Sequence, residues 1–154
     1  MMTNLICNVL ERLSGKTLVT AESCTGGGIG AAITAVPGSS AVYKGGIISY
    51  TNWVKENILH VDGRLLEQYG AVSMPVAKAM AEGARQVLDA DVAVSVTGLA
   101  GPGGDEFGNP VGTVFIGYSD NRKTCAKHFV FVGDRENVRN QTICEALKLV
   151  LEEN

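Results

Sequence analysis

A β-branched run, Thr17-Leu18-Val19-Thr20, leads into Ala21-Glu22-Ser23-Cys24-Thr25-Gly26-Gly27-Gly28 and then into the Ala- and Ile-rich run Ile29 to Val36. This strand, glycine loop and helix in immediate succession constrain the fold more than any other stretch. The glycines let backbone approach a ligand closely. The helix start offers unpaired N–H groups and the positive end of a dipole, which suit an anion. Ser23 stands at the turn, where a nucleophile would face those donors. The stretch fits neither the nucleophile-elbow pattern G-x-S-x-G nor the P-loop pattern. A plainer reading makes it a glycine-rich turn with Thr25 as helix N-cap.

The periodicities along the chain supply the rest of the architecture. An amphipathic helix is predicted over 3–14, with Leu5, Ile6, Val9, Leu10 and Leu13 on one face. A strand over 17–21 and a helix over 26–36 follow, stopped by Pro37-Gly38. Next come a strand from Gly45 to Tyr50 and short helices at Trp53–Leu59, capped by Thr51 or Asn52, and Asp62–Gln68, closed by Gly70. A longer helix spans 75–88, with Pro75 in its first turn and Val76, Ala79, Met80, Ala84, Val87 and Leu88 inward. Val92–Thr97 reads as a strand, and the loop Gly98-Leu99-Ala100-Gly101-Pro102-Gly103-Gly104 leaves its end. Strands at 111–118 and 124–132, joined by Ser119-Asp120-Asn121-Arg122, must be antiparallel neighbours. A last helix over 134–152 takes Asp134 as N-cap and turns Val138, Ile143, Leu147 and Val150 inward. The sum is one three-layer α/β/α domain with a mixed, mostly parallel sheet and a late antiparallel hairpin. Both glycine loops leave the carboxyl ends of strands, where open α/β sheets bind ligands.

Composition narrows the function classes. The 154 residues are 45% hydrophobic, enough for a real core in a single domain. A net charge of -3 without a basic stripe argues against nucleic acid as the partner. No apolar run approaches a membrane span, and Met1–Leu13, broken by Asn4, Asn8, Glu11 and Arg12, is not a signal peptide, so no membrane partner and a cytoplasmic location are expected. Cys7, Cys24, Cys125 and Cys144 stand alone, and His60 and His128 have no ligand-like neighbours, so neither a metal site nor a disulfide framework is expected. Cys7 and Cys144 read as core residues on helical faces.

Several motifs, in order and spanning nearly the whole chain, are similar to those of one family. They are Ala21-Glu22-Ser23-Cys24-Thr25-Gly26-Gly27; Pro37-Gly38-Ser39-Ser40; Tyr50-Thr51-Asn52 with Lys55; Gly70-Ala71-Val72-Ser73; Thr97-Gly98-Leu99-Ala100-Gly101-Pro102-Gly103-Gly104; Pro110-Val111-Gly112-Thr113-Val114; and Gly133-Asp134-Arg135 with Val138-Arg139. The chain resembles the CinA C-terminal domain family, whose characterised activity is that of a nicotinamide-nucleotide amidase. The resemblance covers this domain, residues 1–154, and not the larger N-terminal domain that some members carry.

The resemblance implies hydrolysis of the carboxamide of nicotinamide mononucleotide to nicotinate mononucleotide and ammonia, as part of pyridine-nucleotide recycling. It implies a Ser–Lys hydrolase without metal or cofactor: Ser23 the nucleophile, Lys55 the base and Tyr50 the assistant. A serine hydroxyl needs a base within hydrogen-bond reach, and a lysine serves only if its pKa falls towards neutrality. Trp53, Val54, Ile58 and Leu59 around Lys55 fit such an apolar setting; otherwise Lys55 is a solvated helix lysine and Tyr50 a half-buried strand tyrosine. The amides of Thr25, Gly26 and Gly27 are candidates either for the oxyanion or for the substrate phosphate. The second loop, with Thr97, Gly98 and Gly101, would take the other role, and Thr97 would also bond substrate directly. Arg135 would grip phosphate in bidentate fashion or pair with Glu136 or Glu22. Cys24, next to the nucleophile, is expected to point elsewhere and pack. Asp105 and Glu106 stand where family members often carry small hydroxyl residues or lysine, and pointing inward they would disfavour a phosphorylated ligand. Exposed apolar positions on the first helix would allow a homo-oligomer.

Overall fold

The computed structural model describes residues 1–154. Five strands form one sheet in the order β2-β1-β3-β4-β5. β1 (Leu18–Glu22), β2 (Tyr43–Ile48) and β3 (Val92–Gly98) run parallel, while β4 (Thr113–Ser119) and β5 (Thr124–Val130) complete the sheet antiparallel. The mixed sheet and late hairpin expected from the sequence are both present. Alternation within the strands divides the core in two. Leu18, Val92, Val94 and Val96 face α1 (Met2–Arg12), α2 (Gly28–Thr34) and α6 (Arg135–Glu153). Val19, Ala21 and Ala93 face α4 (Gly63–Tyr69) and α5 (Met74–Val87). α3 (Asn52–Asn57) links the edge strand β2 to this second face.

Local chemistry sets the helix ends. Thr51 caps α3 by accepting from the Val54 amide, Asp62 caps α4 through Arg64, and Asp134 caps α6 through Asn137. Packing against α5 is close where side chains vanish. A Cβ on Gly117 of β4 would stand 2.3 Å from the Ala77 carbonyl oxygen of α5, and one on Gly83 would stand 2.0 Å from that of Leu59.

Several local expectations are corrected. α2 begins at Gly28, with Gly27 in the left-handed region as its N-cap, because the Thr25 hydroxyl is held by Glu22 instead of capping the helix. Cys7 is exposed: Ile6 and Val9 define the buried face of α1, and Cys7 lies one position round the helix from Ile6. Val87, the last residue of α5, is also exposed, and Ile143 and Cys144 are only half-buried on α6. No helix is long and apolar enough to cross a membrane.

Candidate active site

Strand β1 ends at Glu22, and its neighbour β2 ends two residues before Tyr50 in the same parallel register, where Glu22 pairs with Ile48. Both strands therefore deliver their following residues to one edge. Ser23 follows β1 directly, its amide held by the Val96 carbonyl of β3 at 3.1 Å. Beyond β2 the chain turns through Ser49 and Tyr50 into α3, and Lys55 on that helix points back beneath the edge. Lys55 is only 1% exposed.

The lysine Nζ has three partners. It donates to the carbonyl oxygens of Ser49 at 2.7 Å and Tyr50 at 3.3 Å, and it meets Ser23 Oγ at 3.2 Å. Carbonyl oxygens can only accept, whereas a hydroxyl can also donate. A neutral amine would therefore keep its two N–H groups on the carbonyls and turn its lone pair to the serine hydroxyl. Burial lowers the Lys55 pKa from 10.5 to about 8, against a small opposing effect of the Cys24 thiol, so the neutral form is accessible near physiological pH. No carboxylate pairs with Lys55.

Above this pair lies a cavity of about 400 Å³. It is lined by Ser23, Cys24, Tyr50, Asn52, Lys55, Ala71, Val72, Thr97, Gly98, Leu99, Ala100, Gly101, Gly103 and Arg135. Of the residues singled out in the sequence, Ser23, Tyr50, Lys55, Thr97, Gly98, Gly101 and Arg135 come together here, and both glycine loops contribute. Thr25, Gly26 and Gly27 do not line the cavity. The Gly26 amide closes a tight turn onto the Ser23 carbonyl at 3.1 Å, and Thr25 is fully buried. Two first-turn amides of α2, from Ile29 and Gly30, donate to Glu22 at 2.8 and 3.0 Å, so an internal carboxylate occupies the helix start. The Thr97 hydroxyl donates to the Ala71 carbonyl at 2.7 Å, which leaves only its lone pairs for a ligand. Tyr50 stands 60% exposed at the mouth, its hydroxyl bonded to neither Ser23 nor Lys55. Arg135 donates to the Gly101 carbonyl at 2.7 Å and pairs with neither Glu136 nor Glu22.

Cys24 is buried, and burial raises its thiol pKa to about 11, so it is not a thiolate at neutral pH. The acidic pair after Gly104 does not face this cavity. Asp105 folds back on its own loop, accepting from the amides of Phe107 and Asn109 and from Asn109 Nδ2. Sequence reasoning missed Asn52, Ala71 and Val72 as lining residues. It also missed the structural part played by Glu22 and Arg139, since both act through partners that only the fold supplies.

The same arrangement of elements occurs in known proteins. Residues 2–154 match the CinA C-terminal domain. A CinA-like protein of Parasynechococcus marenigrum (strain WH8102) is 50% identical over 151 residues, which is 95% of this chain and 35% of that protein. One from Geobacter sp. (strain M21) is 49% identical over 139 residues, 90% of this chain and 34% of that protein. The chain thus spans about a third of the length of the curated relatives it matches. Among solved structures, a competence-damaged protein (CinA) superfamily protein from Escherichia coli superposes with a TM-score of 0.97 at 36% identity, covering 100% of this chain and 91% of that one. The competence damage-inducible protein A from Klebsiella pneumoniae does so with a TM-score of 0.95 at 35% identity, covering 98% and 95%. By sequence over its whole length and by fold, this chain belongs to the CinA C-terminal domain family.

Proposed function

We propose that the chain is a nicotinamide-nucleotide amidase that works through an acyl-enzyme at Ser23, with Lys55 as its base. The observation that carries this reading is the buried lysine set between two carbonyl acceptors and the serine hydroxyl. Ser23 Oγ attacks the carboxamide carbon of nicotinamide mononucleotide while its proton passes to Lys55 Nζ. The tetrahedral intermediate then collapses, the C–N bond breaks, and the lysine returns the proton to the leaving ammonia. Water, deprotonated by the same amine, attacks the nicotinoyl ester and regenerates Ser23 with release of nicotinate mononucleotide.

The oxyanion is assigned to the amide of Cys24, the residue after the nucleophile, which lines the cavity and has no backbone partner. Arg135, with the backbone of Gly98 and Gly101, is assigned to the phosphate, since its guanidinium has donors beyond the one on Gly101. Tyr50 is assigned to the mouth, where its ring would cover the nicotinamide and its hydroxyl would serve the leaving ammonia. The cavity volume suits a mononucleotide.

Ammonia release from nicotinamide mononucleotide, measured with a chelator present for wild type, Ser23→Ala and Lys55→Met, tests the proposal. Turnover by wild type and loss in both folded variants is the expected result. Binding without turnover would instead make the chain a nucleotide-binding module. Activity on another amide that still requires Ser23 would keep the chemistry and change the substrate. Turnover surviving Ser23→Ala would remove the nucleophile assignment.

A further inference from the structure

The turn that carries Ser23 is held by a cation that the catalytic scheme above does not use. Arg139, on the second turn of α6, donates from Nε to the Cys24 carbonyl and from NH2 to the Thr25 carbonyl, each at 3.1 Å. It forms no ion pair with a carboxylate. Cys24 and Thr25 are the two central residues of the turn that the Gly26 amide closes onto the Ser23 carbonyl. On the opposite side, Glu22 accepts from the Thr25 hydroxyl at 2.6 Å and from two amides of α2. The turn is thus fixed by a guanidinium on its carbonyls and a carboxylate on its hydroxyl.

In a planar trans peptide the carbonyl and the following N–H point in opposite directions. Holding the Cys24 and Thr25 carbonyls therefore sets the Cys24–Thr25 and Thr25–Gly26 peptide planes, and the Gly26 N–H of the second bonds the Ser23 carbonyl, which fixes the Ser23–Cys24 peptide that carries the Cys24 amide. The planar fork offers the two carbonyls donors on separate nitrogens at a fixed spacing, which the single nitrogen of a shorter lysine side chain at this position does not reproduce. A cation beneath these peptides also favours negative charge developing at Ser23. α6 does not depend on Arg139 for docking, because Val138, Thr142, Ala146, Leu147, Leu149 and Val150 of the same helix are all buried.

From these contacts we infer that Arg139 is a positioning residue for the Ser23 turn: its bidentate grip on the Cys24 and Thr25 carbonyls holds the serine in line with Lys55 and with the oxyanion donor. This inference rests on the reading of Ser23 as nucleophile.

The test compares wild type with Arg139→Ala, Arg139→Lys and Ser23→Ala in two assays, steady-state ammonia release from nicotinamide mononucleotide and the rate at which a fluorophosphonate probe labels Ser23. Arg139→Ala is expected to lower kcat and the labelling rate by about 100-fold, the scale of an ångström of misplacement at a reacting centre. KM should stay within about threefold and circular dichroism should be unchanged, with Arg139→Lys recovering little because one nitrogen on a shorter side chain does not match the spacing of the two guanidinium donors. Added guanidinium should raise the rate of Arg139→Ala and leave wild type unaffected. Equal labelling of wild type and Arg139→Ala would overturn the inference and leave Ser23 as nucleophile. So would full recovery by Arg139→Lys, or a rise in KM with kcat preserved, which would make Arg139 a substrate ligand. A wild-type Ser23 inert to both substrate and probe would overturn the nucleophile reading and this inference together. Should Arg139→Ala fail to fold, Arg139→Lys carries the same comparison.

Discussion

Two buried charged side chains at opposite ends of the sheet, Asp120 and Lys55, are treated in opposite ways. Asp120 sits in the turn between β4 and β5. It accepts from the amides of Arg122 and Lys123, from the Tyr118 hydroxyl and from the Arg122 guanidinium. Burial would raise its pKa, but those four donors outweigh it and bring the carboxyl down to about 2. At the carboxyl ends of the parallel strands, Lys55 is equally hidden and has two neutral carbonyls and a hydroxyl but no counter-ion, so burial prevails and its pKa falls to about 8. The antiparallel end secures a charge that never needs to change. The parallel end keeps a group whose surroundings favour losing its proton, which is how reactive sites differ from structural ion networks.

The sharpest way to probe this contrast is Lys55→Met. Removing the base should lower kcat/KM for ammonia release by about 1,000-fold, while the thermal midpoint at pH 7 holds or rises. A large fall in stability would make Lys55 a structural residue like Asp120. The next effect is thermodynamic. A lysine whose folded pKa lies below its unfolded value penalises the folded state where both forms are protonated, below about pH 8. That penalty disappears as pH rises from about 8 to the unfolded value of 10.5. Wild type should therefore gain about 3 kcal/mol relative to Lys55→Met across this window, by denaturant unfolding. Activity follows the folded value alone, so kcat/KM should rise with pH up to about 8 and level off above it, before the stability gain begins.

Asp120 should respond with the opposite sign. Its depressed pKa contributes stability that is present above the unfolded value of 3.8 and lost as pH falls towards about 2. Asp120→Ala should cost about 2 kcal/mol at pH 7 and abolish that acid dependence, with the pH profile of activity unmoved. A shift of the profile in this variant would erase the distinction between the two ends. The smallest effect belongs to the exposed pairs on β5 and α6. Lys127→Ala, which breaks its ion pair with Glu152, should change stability by less than about 1 kcal/mol and activity not at all.

Much of this was legible in the sequence, for identifiable reasons. β-branched runs, turn residues and helix caps are local signals, so every strand and α-helix is recognisable and the short turn fixes the late hairpin, while the single 3-10 turn at Ser39–Ala41 is not. The serine and lysine were found because their motifs resemble those of a family, not because spacing alone joins residues 32 apart. Their meeting depends on the parallel register of β1 and β2, which no local pattern encodes. The sequence offers the start of α2 to an anion because nothing in it signals the reach of Glu22. Its carboxylate turns inward at the strand end and takes the start of α2. Asp105 looked like a hazard to an anionic ligand until its loop was seen to satisfy it. Cys7 reads as buried in the sequence because its helix offers two neighbouring apolar faces, and only packing selects between them.

The two arginines of α6 give the chain's order of synthesis a consequence. Arg139 stands 115 residues after the Cys24 carbonyl it holds, and Arg135 reaches the second loop from the same late helix. A chain emerging amino end first exposes Ser23 long before the clamp that shapes its turn exists. The nascent domain is therefore expected to carry an unarmed serine, and reactivity should appear only when the last helix has docked. Probe labelling of a chain stopped before Arg135 would read that delay directly.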